Sequence, residues 1–139
     1  MNMLAFRKNL FRLNAGFLVL MGGVFGILDY IGFRSGNGPF GDMLKDNVLA
    51  VGALEAHGLA FIFGLVLFVY ALRTLDTSWH FVAAGVHILL GGSNLIFWSH
   101  FQQLGIVNQE IAVTAIHGLF VVAHLFSYFL TRIKTQVFA

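Results

Sequence analysis

The chain has 139 residues, of which 58% are hydrophobic and only 10% are charged. A soluble domain carries roughly 25% charged residues, so this composition excludes a water-soluble globule and predicts several membrane-spanning helices. The basic residues that give the net charge of +2 flank apolar segments and form no patch, which indicates no nucleic-acid partner. The absence of cysteine excludes disulfides, iron–sulfur clusters and thiolate metal sites.

Four segments are long and apolar enough to cross a bilayer, which requires about 20 residues per helix. They are residues 13–33, 48–72, 79–101 and 110–131. The last two connections are short turns, and short turns join antiparallel neighbours. We therefore predict an all-α fold, an up-down four-helix transmembrane bundle that forms a single membrane domain over residues 1–139.

The positions of the basic residues predict the orientation of this bundle. Six lie on one side of the predicted membrane and two on the other: Arg7, Lys8, Arg12, Arg73, Arg132 and Lys134 against Arg34 and Lys45. Because cytoplasmic flanks are enriched in lysine and arginine, we expect both termini in the cytoplasm. The expected location is the bacterial cytoplasmic (inner) membrane.

The two halves of the chain resemble each other, which predicts a tandem two-helix repeat. AGFLVLMGG (15–23) aligns with AGVHILLGG (84–92) at an offset of 69 residues. HGLAFIFGLVLF (57–68) aligns with HGLFVVAHLFSY (117–128) at an offset of 60 residues. Duplication of a helical hairpin explains both alignments, although short apolar segments also match by composition alone. Under duplication His57 and His117 are equivalent.

Ionisable groups inside membrane spans are costly and are candidates for function. The second and fourth helices are diagonal partners in an up-down bundle, so we expect His57 and His117 to face each other across its axis. Two opposed imidazoles are the axial ligands of a haem b iron. Four glycines near the midplane of the other two helices leave room for a porphyrin or serve helix packing: Gly22, Gly23, Gly91 and Gly92.

Other buried polar residues leave alternatives open. His87 and His124 are secondary ligand candidates, and each is also explained as a hydrogen-bonding contact between helices. A (bacterio)chlorophyll, whose magnesium needs one imidazole, is an alternative pigment. Glu55 is a further candidate, either as part of a proton path or facing an outer vestibule.

Three more polar residues are expected to have ordinary roles. His80 and His100 lie near span ends, where water or lipid headgroups satisfy them. Asp29 is expected to pair with Arg34 or His100 and to have a structural role.

The segment EAHGLAFIFGL (55–65) opens the second span with an E-x-x-G-L pattern. Its Glu55, Gly58, Leu59, Gly64 and Leu65, together with a short basic N-terminus and a polar first loop, resemble small four-helix bacterial inner-membrane proteins of the DoxX-like and unknown-function kind. The resemblance implies a fold and a location but no activity. The core histidines depart from that pattern.

The loops are short and lack a nucleophile–base or phosphate-binding motif, so we predict no independent catalytic activity. The sequence favours an accessory or scaffold subunit of a larger membrane assembly. Its partners would be the lipid bilayer and other membrane subunits or further copies of the chain. The alternative is a haem b cytochrome subunit that passes electrons between a quinone and a partner. A small transporter or proton path is the third candidate.

Overall fold

The computed structural model describes the backbone of residues 2–74 and 76–137 and the side chains of residues 2–74 and 76–131. All regular elements in that part of the chain are helices. Four helical segments have the length and apolar composition needed to cross a membrane: Met3–Ser35, Leu49–Thr74, Ser78–Ile96 and Val107–Thr131. The predictions of an all-helical fold and of four helices long and apolar enough to cross a membrane are therefore confirmed for the described residues.

Helix α1 (Met3–Ser35) begins ten residues before the predicted span because Asn2 caps it. The Asn2 side-chain oxygen accepts hydrogen bonds from two backbone N–H groups of the first turn, at 3.1 and 3.3 Å. At about 1.5 Å per residue the helix is roughly 50 Å long, longer than the ~30 Å hydrocarbon layer. It ends at Gly36, whose φ of 72° is the left-handed conformation that glycine tolerates best. A one-turn helix, α2 (Gly41–Leu44), follows.

Helix α3 (Leu49–Val66) continues through a π-helical turn (Leu67–Ala71) into a last turn, α4 (Leu72–Thr74). It packs antiparallel against α1, because residues 15 and 19 contact residue 64 while residue 22 contacts residues 57 and 61. The backbones of α1 and α3 approach each other closely at Gly22. A Cβ on Gly22 would lie 2.5 Å from the carbonyl oxygen of His57 and 2.5 Å from the backbone nitrogen of Phe61.

Helix α5 (Ser78–Ile96) ends five residues before the end of the predicted span 79–101. The chain leaves the helical conformation at Phe97, with φ −95° and ψ 18°, and then forms the short α6 (Trp98–Leu104). Gly105, with φ 71°, ends α6, and α7 (Val107–Val137) follows. The main packing of this half is between α5 and α7.

The chain divides into two compact units, Met1–Thr74 and Leu75–Ala139. We call the helix pair α1–α3 the first hairpin and the pair α5–α7 the second hairpin. Each hairpin has its own buried interface between its two long helices.

The two hairpins bury largely equivalent positions. In α5 the buried residues are His80, Ala83, Ala84, His87 and Gly91. Subtraction of 69 gives residues 11, 14, 15, 18 and 22, which are all buried in α1. Along α7, His117, His124 and Ser127 are buried; subtraction of 60 gives the buried Gly64 and Leu67 for the last two and the partly buried His57 for the first. The contact between Gly22 and His57 also recurs, since a Cβ on Gly91 would lie 3.0 Å from the Cβ of His117.

Candidate functional site in the second hairpin

Two pairs of histidines lie in the interface between α5 and α7. The Nδ1 atoms of His80 and His124 are 2.9 Å apart, and those of His87 and His117 are 2.7 Å apart. Each distance is a hydrogen bond, which requires one ring to carry its proton on Nδ1 and the other ring to accept there. We call these four residues the histidine ladder and each pair a rung.

The rungs follow from the spacing of the sequence. Both helices carry their two histidines seven residues apart, which places them on one face at axial positions about 10 Å apart. Because α5 and α7 run antiparallel, His80 at the start of α5 meets His124, and His87 meets His117. A third polar pair lies further along, where the Asn94 side-chain amide donates to the Thr114 hydroxyl at 3.1 Å.

The side chains of the histidine ladder are almost completely buried. The exposed fractions are 0% for His80 and His124, 1% for His87 and 7% for His117. The Phe120 ring stacks on His87 with a centroid distance of 4.7 Å and lies 6.2 Å from the His124 ring. Phe120 therefore fills the space between the two rungs. Ser127, one turn beyond His124, is fully buried, and its hydroxyl has no hydrogen-bond partner among the described residues.

The first hairpin shows that packing alone does not require these histidines. Phe11 occupies the position equivalent to His80, and Leu18 the position equivalent to His87. Both are buried, at 0% and 1% exposure, in a helix pair of the same kind. The second hairpin therefore carries polar rings at positions where the first uses apolar side chains. Because a buried polar group must be hydrogen-bonded to avoid a penalty, both partners of a rung have to be present together.

A separate polar pair lies in the first hairpin. His57 Nδ1 is 2.5 Å from the Oδ2 of Asp29, which is 2% exposed. The Phe25 ring stacks on the imidazole at a centroid distance of 5.4 Å. A carboxylate bound to Nδ1 fixes the ring orientation and directs the other nitrogen, Nε2, away from the carboxylate, as is common for histidines that bind metals.

The glycine candidates differ in their surroundings. At Gly22 and Gly91 a Cβ would meet the neighbouring helix of the same hairpin at 2.5 and 3.0 Å, so that helix already fills the space a side chain would need. A Cβ on Gly23 would make ordinary contact with Phe61 at 3.4 Å, and one on Gly92 would meet no described atom within 4 Å. Glu55 is exposed and borders an open depression on α3 that is also lined by Gly58, Leu59 and Ile62.

The rungs themselves do not fit a haem. An iron between two imidazoles needs about 2 Å to each nitrogen, close to the metal–nitrogen distance of other histidine sites, and the porphyrin must pass between the rings. The His87 and His117 rings are in direct hydrogen-bond contact, and Gly91 and His117 bring the helices too close for a macrocycle. For His57 the fit is better, because Nε2 is the nitrogen that an axial ligand uses. The shared haem of His57 and His117 stays a prediction.

The structure corrects two sequence-based expectations. His80 is not a solvated residue at a span end but a fully buried member of a rung. Asp29 pairs with His57 rather than with the expected Arg34 or His100. One signal in the sequence indicates the rungs: residues 80 and 124, like residues 87 and 117, are symmetric about residue 102, which lies in the connection between the two long helices. The Asp29–His57 pair has no comparable signal.

Comparison of the chain with protein-family models, with curated proteins and with solved structures gave no match. The resemblance of residues 55–65 to DoxX-like proteins therefore stays a prediction, and the candidate site rests on its own geometry.

Proposed function

We propose that the protein is an accessory or scaffold subunit of a larger membrane assembly. In this proposal its four spanning helices form an up-down bundle in the bacterial inner membrane, with both termini in the cytoplasm. The excess of lysine and arginine on one side of the spans supports that orientation. The likeness of the two hairpins in their buried positions supports a tandem repeat.

One observation carries the scaffold role: four pairs of polar side chains inside the hairpins join one helix to another. The two rungs, the Asn94–Thr114 pair and the Asp29–His57 pair each join two helices of one hairpin. Hydrogen bonds of this kind contribute about 0.6–2 kcal/mol each to helix association in membranes. They define a specific helix register, which a protein that presents fixed surfaces to partners requires.

The outer surfaces of the helices are available for lipid and partner subunits. In the most apolar window of each span, between 11% and 28% of the residues are buried within the described structure. Large apolar side chains are exposed along all four spans, among them Leu20, Leu59, Leu89 and Leu119. Such surfaces fit either acyl chains or other membrane helices.

Purification of the tagged chain from its native membrane in mild detergent tests the scaffold proposal. We expect other membrane chains to copurify in fixed stoichiometry, and that complex to be lost from membranes without this protein. The matched control is an unrelated tagged protein with four spans, expressed at the same level. A particle that contains only this chain would refute the accessory role.

The Asp29–His57 pair favours a second candidate, a haem b-binding subunit that transfers electrons with a quinone. Bound haem would supply one-electron chemistry, His57 would be an axial ligand through Nε2, and Asp29 would hold its ring in place. A reduced-minus-oxidised absorption spectrum tests this candidate. Sharp bands that disappear in His57→Ala and persist in His100→Ala support it, while a colourless preparation eliminates it.

A further inference from the structure

We propose that each rung of the histidine ladder binds one Cu(I) ion between the two Nδ1 atoms. The proposal adds a metal site to the second hairpin and does not depend on the scaffold role or on any partner chain. It rests on the ring geometry, on the donor set and on the comparison between the two hairpins.

The ring geometry places two imidazole nitrogens face to face. The Nδ1 atoms are 2.7 Å apart in one rung and 2.9 Å apart in the other. Two metal–nitrogen bonds of about 2 Å each would hold the nitrogens about 4 Å apart, so the rings must separate by about 1 Å. Because the four rings are 0–7% exposed, copper binding requires rotation of these side chains together with a small local adjustment of α5 and α7.

The number and type of ligand atoms in a rung determine which metal ion it can bind. Among the described residues there is no group of three or more histidine, aspartate or glutamate side chains that could hold a metal ion, and the chain contains no cysteine. Zn²⁺ sites are almost always four-coordinate, so a rung of two imidazoles is a poor Zn²⁺ site. Cu(I) accepts two nitrogen ligands in a linear arrangement, and imidazole is a suitable ligand for copper. Its single charge also costs less to bury than a double charge.

Binding of Cu(I) leaves the number of protons on a rung unchanged. In the metal-free rung one ring carries its proton on Nδ1 and donates a hydrogen bond from it to the Nδ1 of the other ring. When Cu(I) binds, that proton moves to Nε2 of the same ring, so both Nδ1 atoms present lone pairs. No proton is released, both imidazoles stay neutral, and the rung gains one positive charge from the ion.

The comparison between hairpins shows that the helix pair can be built without these rings. Phe11 and Leu18 fill the positions equivalent to His80 and His87, and Gly64 fills the position equivalent to His124. In the second hairpin all of these positions, together with His117, are imidazoles paired across the interface. Packing alone does not require four histidines in register, since the first hairpin packs with a single one at these positions, and paired nitrogen donors are what a metal ion would bind in addition to their hydrogen-bonding role.

The test is an anaerobic titration of the purified full chain in detergent with Cu(I), in competition with a chromogenic Cu(I) chelator. Two variants carry the residues of the first hairpin: His80→Phe and His87→Leu. His100→Leu is the matched control, since His100 is an exposed histidine of the same half. Circular dichroism and size-exclusion chromatography verify that each variant keeps its fold.

We expect two Cu(I) ions per wild-type chain, one in either single variant, none in the double variant and two in His100→Leu. X-ray absorption of the loaded protein should show copper with two nitrogen neighbours, and Zn²⁺ should not compete. The proposal is overturned by a stoichiometry below two in the wild type, by copper binding that survives the double variant, or by additional oxygen or nitrogen ligands in the absorption spectrum.

Discussion

Substitution of Gly22 by alanine should weaken the first hairpin by forcing two backbones apart. The new Cβ would lie 2.5 Å from both the His57 carbonyl oxygen and the Phe61 backbone nitrogen, whereas ordinary contacts are 3.4–4 Å. The helices must therefore separate locally by about 1 Å, because neither backbone atom can rotate away.

The magnitude follows from two opposing terms. Overpacking of a close-packed interface costs about 1–3 kcal/mol, and the better helix propensity of alanine returns up to ~1 kcal/mol. We expect a net loss of about 1–2 kcal/mol in the free energy of unfolding, which is roughly a 5- to 30-fold change in the unfolding equilibrium.

Reversible unfolding by SDS in mixed micelles, followed by circular dichroism, measures this loss. Gly16→Ala is the matched control, since it lies on the same helix and a Cβ there would meet no described atom within 4 Å. We expect the control to be as stable as the wild type or slightly more stable. If Gly22→Ala unfolds at the same SDS fraction as Gly16→Ala, the close approach of α1 and α3 is incorrect.

Three further substitutions probe other contacts by the same unfolding assay. Gly91→Ala should cost less than Gly22→Ala, up to about 1 kcal/mol, because its Cβ would meet the His117 Cβ at 3.0 Å, a smaller overlap than the two contacts of 2.5 Å at Gly22. An equal or larger loss would contradict this ranking. Asp29→Ala should lower the free energy of unfolding by about 1–3 kcal/mol, since it leaves the His57 ring without its buried acceptor. Asp29→Asn, which keeps a side-chain oxygen, should recover part of that loss. No loss in the alanine variant would show that the pair does not form. Ser127→Ala should leave the free energy of unfolding unchanged or raise it by up to about 1 kcal/mol, because the buried hydroxyl has no hydrogen-bond partner among the described residues. A loss above about 1 kcal/mol would mean that the hydroxyl does have a hydrogen-bond partner.

Sequence alone determined the class of this protein and the number of its spans. Length and apolar composition suffice for that, because a helix in lipid must satisfy its backbone internally and must be about 20 residues long. The positions of the helix ends were harder to predict from the sequence. The start of α1 depends on the Asn2 cap and the end of α5 on the conformation of Phe97, and neither follows from hydropathy.

The internal repeat was also visible in the sequence, and its offsets of 69 and 60 residues match the pattern of burial in the two hairpins. What the repeat meant for the histidines was not visible. Sequence reasoning expected His57 and His117 to face each other and did not foresee that each has a partner within its own hairpin, Asp29 for His57 and His87 for His117.

Only the tertiary structure decided which polar side chains meet. Asp29 and His57 are 28 residues apart, and His80 and His124 are 44 residues apart. Their contact depends on how far each helix is rotated about its axis and on the register at which it passes its neighbour. Those two quantities are set by close packing at small residues such as Gly22 and Gly91, and hydropathy carries no information about either.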